Sequence, residues 1–164
     1  NPLLLGMILE RATGRSVTAY LQEKIWDPIG MEYGGSWSVD SEATGFEKME
    51  SGINARPVDF AKFGRLYLNA GNWNGTQIVP ADWVTESTQD NGLIQDESTF
   101  YGYMWWGEKC NPNSQDFLAM GNYGQYIYVS PAHNLIIVRN GEEYGVEEWY
   151  VWAEAFCKFA EVLP

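Results

Sequence analysis

Leu135-Ile136-Ile137-Val138-Arg139 ends a series of strand-like segments, and its apolar residues follow one another without a polar break. Side chains along a strand alternate between the two faces of its sheet, so a run that never alternates has no face suited to water. Helices are therefore expected on both sides of the sheet. Upstream, residues 125–129, 117–121 and 101–106 also read as strands, and Ser130-Pro131-Ala132-His133-Asn134 reads as the tight turn before the last one. Downstream, the spacing predicts a helix over 146–162, with Glu147 and Glu148 at its positive end and Trp149, Ala153, Phe156 and Ala160 along one face. That helix supplies one covering layer; the second is harder to find.

The earlier part of the chain has a helical period. Leu5, Ile8, Leu9 and Ala12 share a face, and Gly14 stands where a left-handed cap falls. Ser16 can cap a second helix carrying Val17, Tyr20, Leu21 and Ile25, stopped by Pro28 and Gly30. Residues 32–54 are rich in Gly, Ser and Glu without a period and read as a long ordered loop, of the kind that often borders a site. Pro57 and Asp59 suit the first turn of a third helix, with Phe60, Phe63, Gly64 and Tyr67 as its stripe and Gly71 as its end. An Asn74-Gly75 turn, a short helix from Pro80 through Trp83 and a polar linker over 88–99 follow. Helices first and strands later predict an α+β arrangement within one domain, residues 1–100 mainly helical and 101–164 holding the strands and terminal helix.

A formal charge of −12 repels phosphate backbones and anionic headgroups, so neither nucleic acid nor a membrane surface is an expected partner. No stretch approaches the roughly 20 apolar residues of a membrane span. Cys110 and Cys157 show neither zinc spacing nor a C-x-x-C pair and are expected to be unpaired structural residues. His133, the sole histidine, lies in a turn and reads as exposed filler, which leaves a serine-histidine-aspartate mechanism without its base. Asp40, Glu42 and Glu47 have no ligand spacing and are expected to be solvated loop charges. No metal or cofactor is expected.

Several blocks together resemble a known family. Leu4-Leu5-Gly6, Glu10-Arg11-Ala12-Thr13-Gly14 and Ile25-Trp26-Asp27-Pro28-Ile29-Gly30-Met31-Glu32 are followed in the family's order by Asp59-Phe60-Ala61-Lys62-Phe63-Gly64-Arg65-Leu66-Tyr67-Leu68, Trp73-Asn74-Gly75, Tyr101-Gly102-Tyr103-Met104-Trp105-Trp106 and Gly121-Asn122-Tyr123-Gly124-Gln125. Over nearly its whole length the chain resembles the serine β-lactamase-like hydrolases, the class C β-lactamase and penicillin-binding-protein group, nearest their esterase and 6-aminohexanoate-oligomer hydrolase branch. The resemblance implies an antiparallel sheet flanked by helices and an acyl-serine enzyme of ester, amide or peptide-like small molecules. It permits a periplasmic, secreted or cytoplasmic location.

In that family a serine and a lysine in S-x-x-K share a helix face, and a Tyr motif follows. No serine here has a lysine three positions on, and no G-x-S-x-G elbow is present, so the chain is expected to be the C-terminal portion of the catalytic domain, inert without its N-terminal segment. Tyr67-Leu68-Asn69 and Lys62-Phe63-Gly64 mimic the second and third motifs but lie within a helix. By the resemblance, Ala119-Met120-Gly121 occupies the third-motif position, where the family has Lys or His first. Alanine cannot hold a carboxylate, which favours neutral esters and amides over β-lactams. Asn122 is implied as an oxyanion-hole donor through its backbone N–H, with Ala119, Met120, Gly121, Tyr123 and Gly124 lining substrate. Gly121 and Gly124 can equally mark a bulge, and Trp37, Trp105 and Trp106 read first as packing residues. The competing expectation is a non-catalytic protein that keeps the fold and binds a ligand, or a Trp-rich carbohydrate-binding module.

Overall fold

The computed structural model describes residues 1–92, 94, 99–108, 110, 114–146, 148 and 150–163. They form two compact units, Asn1–Asp59 and Phe60–Pro164.

In the first unit, α1 (Pro2–Thr13) starts at Asn1, whose side chain accepts from the Leu3 N–H, and ends on Gly14 at φ 68°. Helix α2 (Val17–Leu21) is capped by Ser16 and continues as a π-helical turn, Gln22–Trp26. Residues 32–54 are more ordered than an aperiodic composition suggests: β1 (Ser36–Trp37) pairs antiparallel with β2 (Ile53–Asn54), and Val39 bridges Glu47. Glu47 corrects the expectation of a solvated charge. It is buried, and its carboxylate accepts from the N–H groups of Val17 and Thr18 at 2.9 and 3.3 Å, at the positive end of α2. Asp40 organises its own loop, and its hydrogen bond from Thr44 holds its carboxyl below the ordinary value. The Trp37 indole donates to the Lys48 carbonyl at 2.9 Å, and a Cβ at Gly52 would overlap that ring.

Helix α3 (Pro57–Leu68) follows, with Asp59 in its first turn. In the second unit come the hairpin β3 (Asn72–Trp73) and β4 (Thr76–Gln77), turned by Asn74 and Gly75 at positive φ as read from the sequence. Helix α4 (Ala81–Thr88) runs beyond Trp83, its anticipated end. Five antiparallel strands then pair in chain order: β5 (Thr99–Gly102), β6 (Trp105–Glu108), β7 (Asp116–Gly121), β8 (Gln125–Ser130) and β9 (Leu135–Arg139). Helix α5 (Tyr150–Val162) closes the unit, starting later than expected; Glu147 and Trp149 lie outside the described residues. No helix among the described residues is long and apolar enough to cross a membrane.

The span 101–106 is two strands, not one. Tyr103 and Met104 turn the chain at φ 46° and 77°, a geometry ordinarily given to Asn-Gly. Contacts from α4 hold it: the Tyr103 hydroxyl donates to Glu86 at 2.8 Å, and Trp83 meets the Tyr103 ring edge-on at 4.9 Å.

Both faces of the sheet are covered. Leu118, Tyr126 and Tyr128 pack against Ala153, Phe156 and Ala160 of α5, with Leu135 and Ile137 joining. On the opposite face Trp105, Phe117, Ile127 and Val129 pack with Phe60, Phe63 and Tyr67 of α3, together with Ile136 and Val138. The second layer is therefore α3. Gly64 lets it approach, because a Cβ there would come within 2.9 Å of Ile136 and 3.0 Å of Ile127. Strand β9 is half-buried throughout, since it ends the sheet and is paired on one side among the described residues.

Across the β5–β6 ladder, Phe100 faces Gly107 and its ring fills the space where a Cβ would stand. Gly107→Ala should lower stability by about 1–3 kcal/mol, as overpacking does, read as a lower urea midpoint at unchanged slope. An unchanged midpoint would show that Phe100 moves aside without cost.

Candidate functional site

The β7–β8 ladder ends at the pair Gly121↔Gln125. Asn122, Tyr123 and Gly124 form the connecting turn, so the Asn122 N–H lies beyond the last ladder pair. Tyr123 and Gly124 take φ 63° and 76°, natural for glycine and uncommon for tyrosine. Asn122 is exposed and Gly124 buried. A Cβ at Gly124 would overlap the Arg139 guanidinium and come within 3.2 Å of the Glu143 carbonyl.

Arg139, at the end of β9, ties the turn to the segment that follows the sheet. Its guanidinium donates to the Gly124 carbonyl and, at 3.1 Å, to the Glu143 carbonyl, and it lies 4.3 Å from the centre of the Trp152 ring. Gln125 makes a paired contact with Gly141, donating to its carbonyl and accepting from its N–H at 3.1 Å. Trp152 donates to the Tyr144 carbonyl at 2.7 Å. Side-chain to backbone bonds of this kind hold two loops in one geometry. The turn that carries Asn122 is therefore braced by the segment that follows the sheet.

The other implied substrate residues are placed differently. Ala119 faces Ile127 across the ladder and packs against the α3-side cluster, while Met120 faces Tyr126 and packs against the α5-side cluster. Both are half-buried, whereas Gly121 and Tyr123 are exposed. Burial pushes the Tyr126 phenol above its ordinary value, with Arg139 acting in the opposite direction. Trp105 is core, stacked on Phe63 with ring centres 6.1 Å apart and beside Tyr67 at 4.6 Å. That packing also accounts for Tyr67, the false second-motif tyrosine. Trp37 lines a shallow apolar pocket of the first unit with Leu21, Trp26 and Ile53.

A second polar cluster has no counterpart in the sequence reading. Cys110 and Cys157 are joined in a disulfide, Cα atoms 5.5 Å apart, which corrects the expectation of unpaired thiols. Two cysteines separated by 47 positions carry no spacing signal, and the packing of α5 on the sheet brings Cys157 to Cys110, which follows β6. Beside them the fully buried Asp116 accepts from the Tyr128 hydroxyl and, at 2.9 Å, from the Ser130 hydroxyl. His133 places Nδ1 2.9 Å from the Ser130 oxygen, so this exposed turn residue has a partner. The order is Asp-Ser-His with the serine in the middle and fully buried. A nucleophile–base–orienter chain needs the histidine in the middle and an accessible serine. This cluster is therefore a satisfied buried polar network. Cys110, Asp116 and Cys157 place ligand-type atoms within 4.8 Å of one another, but the disulfide occupies both sulfurs.

The model of the Beta-lactamase family matches residues 1–148. The 6-aminohexanoate-dimer hydrolase of Paenarthrobacter ureafaciens is 27% identical over 152 residues, which cover 85% of this chain and 37% of that protein. A solved structure from Bacillus anthracis, named for 6-aminohexanoate-dimer hydrolase activity, superposes with a TM-score of 0.85 at 30% identity, covering 99% of this chain and 43% of that one. A penicillin-binding protein homologue from Caulobacter crescentus shares the fold at a TM-score of 0.64 and 13% identity, covering 84% and 50%. The chain thus spans less than half the length of the hydrolase relatives it matches.

Proposed function

The chain belongs to the beta-lactamase family, and on that premise we propose that it forms the downstream part of a serine hydrolase that cleaves ester or amide bonds through an acyl-serine intermediate. The observation that carries this reading is the Asn122 N–H, placed past the end of the β7–β8 ladder on a braced turn directly after Ala119-Met120-Gly121. In the proposed reaction a serine hydroxyl, supplied with its base by an S-x-x-K segment outside this chain, adds to the substrate carbonyl as its proton passes to the base. The carbonyl oxygen becomes negative, and the Asn122 N–H donates to it. Collapse expels the protonated alcohol or amine, and water then releases the acid and regenerates the serine. A donor that meets charge only as it develops lowers the barrier more than it tightens substrate binding.

Ala119 directs the substrate class. Without a cation or hydrogen-bond donor at that position, a substrate carboxylate gains nothing there, so neutral esters and amides are the favoured substrates. Protein carrying this chain with its S-x-x-K segment should be labelled by a fluorophosphonate and should hydrolyse short-chain p-nitrophenyl esters. Soluble, folded protein that does neither would overturn the reading, and rapid nitrocefin turnover would overturn the substrate preference. A coding sequence without S-x-x-K would favour the non-catalytic alternative.

A further inference from the structure

Beside the turn of Asn122 stands a pair of exposed aromatic rings that the fold does not use. Tyr123 is 61% exposed and Tyr144 51% exposed, with ring centres 6.0 Å apart and planes inclined at 38°. Tyr123 adopts the left-handed conformation at φ 63°, which costs a non-glycine residue stability without burying its ring. Tyr144 reaches the same place because its carbonyl is held by Trp152 and the adjoining Glu143 carbonyl by Arg139. Side-chain contacts from β8, β9 and α5 thus hold the backbone that carries the two rings, which meet at a tilt on the surface next to the proposed donor. At this separation the rings touch each other, so a ligand lies across their joint surface and not between them. Glu142 and Glu143, exposed on the same segment, give its margin a negative charge.

We propose that Tyr123 and Tyr144 form an aromatic wall that selects neutral substrates carrying a planar unsaturated ring next to the scissile ester or amide bond, with Tyr144 as a specificity-determining residue. The proposal rests on the reading of Asn122 as the oxyanion donor. A flat ring gains offset contact with the tyrosine faces that a saturated ring of similar volume does not, and the acidic margin disfavours substrate carboxylates.

Two series test it in the protein carrying the S-x-x-K segment: phenyl against cyclohexyl acetate, which places the ring on the leaving group, and p-nitrophenyl phenylacetate against cyclohexylacetate, which places it on the acyl group. In one of the series the aryl-to-cyclohexyl ratio of kcat/KM should fall about 3- to 10-fold in Tyr144→Ala and in Tyr144→Leu, and be retained in Tyr144→Phe. Tyr144→Leu keeps the apolar bulk and guards against a folding defect. Ratios unchanged in both series, or lost equally in Tyr144→Phe, would overturn the proposal. Should the protein hydrolyse no ester at all, the oxyanion reading fails, and a binding measurement on this chain decides the wall separately. Phenylacetamide should shift the ring resonances of Tyr123 and Tyr144 at lower concentration than cyclohexylacetamide, and equal or absent shifts would sink it.

Discussion

Replacing Asn122 by proline should lower kcat of the whole hydrolase by about 10²–10³, the loss of one oxyanion donor, or about 3–4 kcal/mol. Proline is the informative change because the proposed contribution is a backbone N–H, which every other residue retains. Asn122→Ala should therefore lose far less. The turn tolerates the test, since Asn122 lies beyond the last pair, Gly121↔Gln125, and no ladder bond is removed. Gly121 before it is in a strand, the conformation favoured ahead of proline. Because the bond forms only as the tetrahedral intermediate develops, kcat should carry the loss while KM stays close to its starting value. Equal rates for Asn122→Pro and the parent, or equal losses for the proline and alanine variants, would remove Asn122 from the mechanism. A matched urea midpoint for the two variants would show that the comparison reports chemistry and not folding.

Breaking the Cys110–Cys157 bond should cost about 4 kcal/mol of stability. The bond closes a loop of 47 positions, and the chain-entropy relation for a loop of that size gives about this value. Domains of this kind are held together by only about 5–15 kcal/mol, so reduction should remove a large share of the margin. The physical link is plain: one half-cystine follows β6 and the other lies within α5, whose Ala153, Phe156 and Ala160 cover one face of the sheet. Cys110→Ser/Cys157→Ser, and the parent in a phosphine reductant, should show the same lowered urea midpoint. Thiol titration in denaturant should find no reactive thiols before reduction and both afterwards. Reactive thiols in the untreated, denatured chain would falsify the pairing. A midpoint insensitive to reduction would show that α5 is held without it. The prediction also bears on where the protein matures, since such bonds persist in oxidising compartments.

Several parts of the site were within reach of the sequence and others were not. The block Gly121-Asn122-Tyr123-Gly124-Gln125 was found by family resemblance, and Tyr123 with it. Arg139 and Tyr144, and the contact of Gln125 with Gly141, lie beyond the sequence, because the contacts that join these residues to the turn run between segments 15 to 16 residues apart or pass through Trp152. The one weak signal is the set of glycines at 124, 141 and 145, each of which stands against the Arg139 guanidinium. Nothing local in the sequence marks Glu47 as a carboxylate that caps a helix 30 residues upstream, so from the sequence it reads as a solvated charge. The Tyr103-Met104 hairpin reads as continuous strand because its positive-φ turn lacks Gly and Asn and is held by α4.

What the sequence determined by itself is what short-range physics writes into a segment of a few residues. The Gly14 cap, the stripe of α3 with Gly64 in it, the Asn74-Gly75 turn and the unbroken apolar run of β9 follow from backbone sterics and from the period with which side chains meet water. The tertiary structure alone decided which helix covers which face, that α3 is the second layer, that Cys110 reaches Cys157, and that Tyr144 stands beside Tyr123. Those outcomes depend on strand register and on contacts between distant segments. The free energy of such contacts exists only once both segments are in place, so no local pattern announces them.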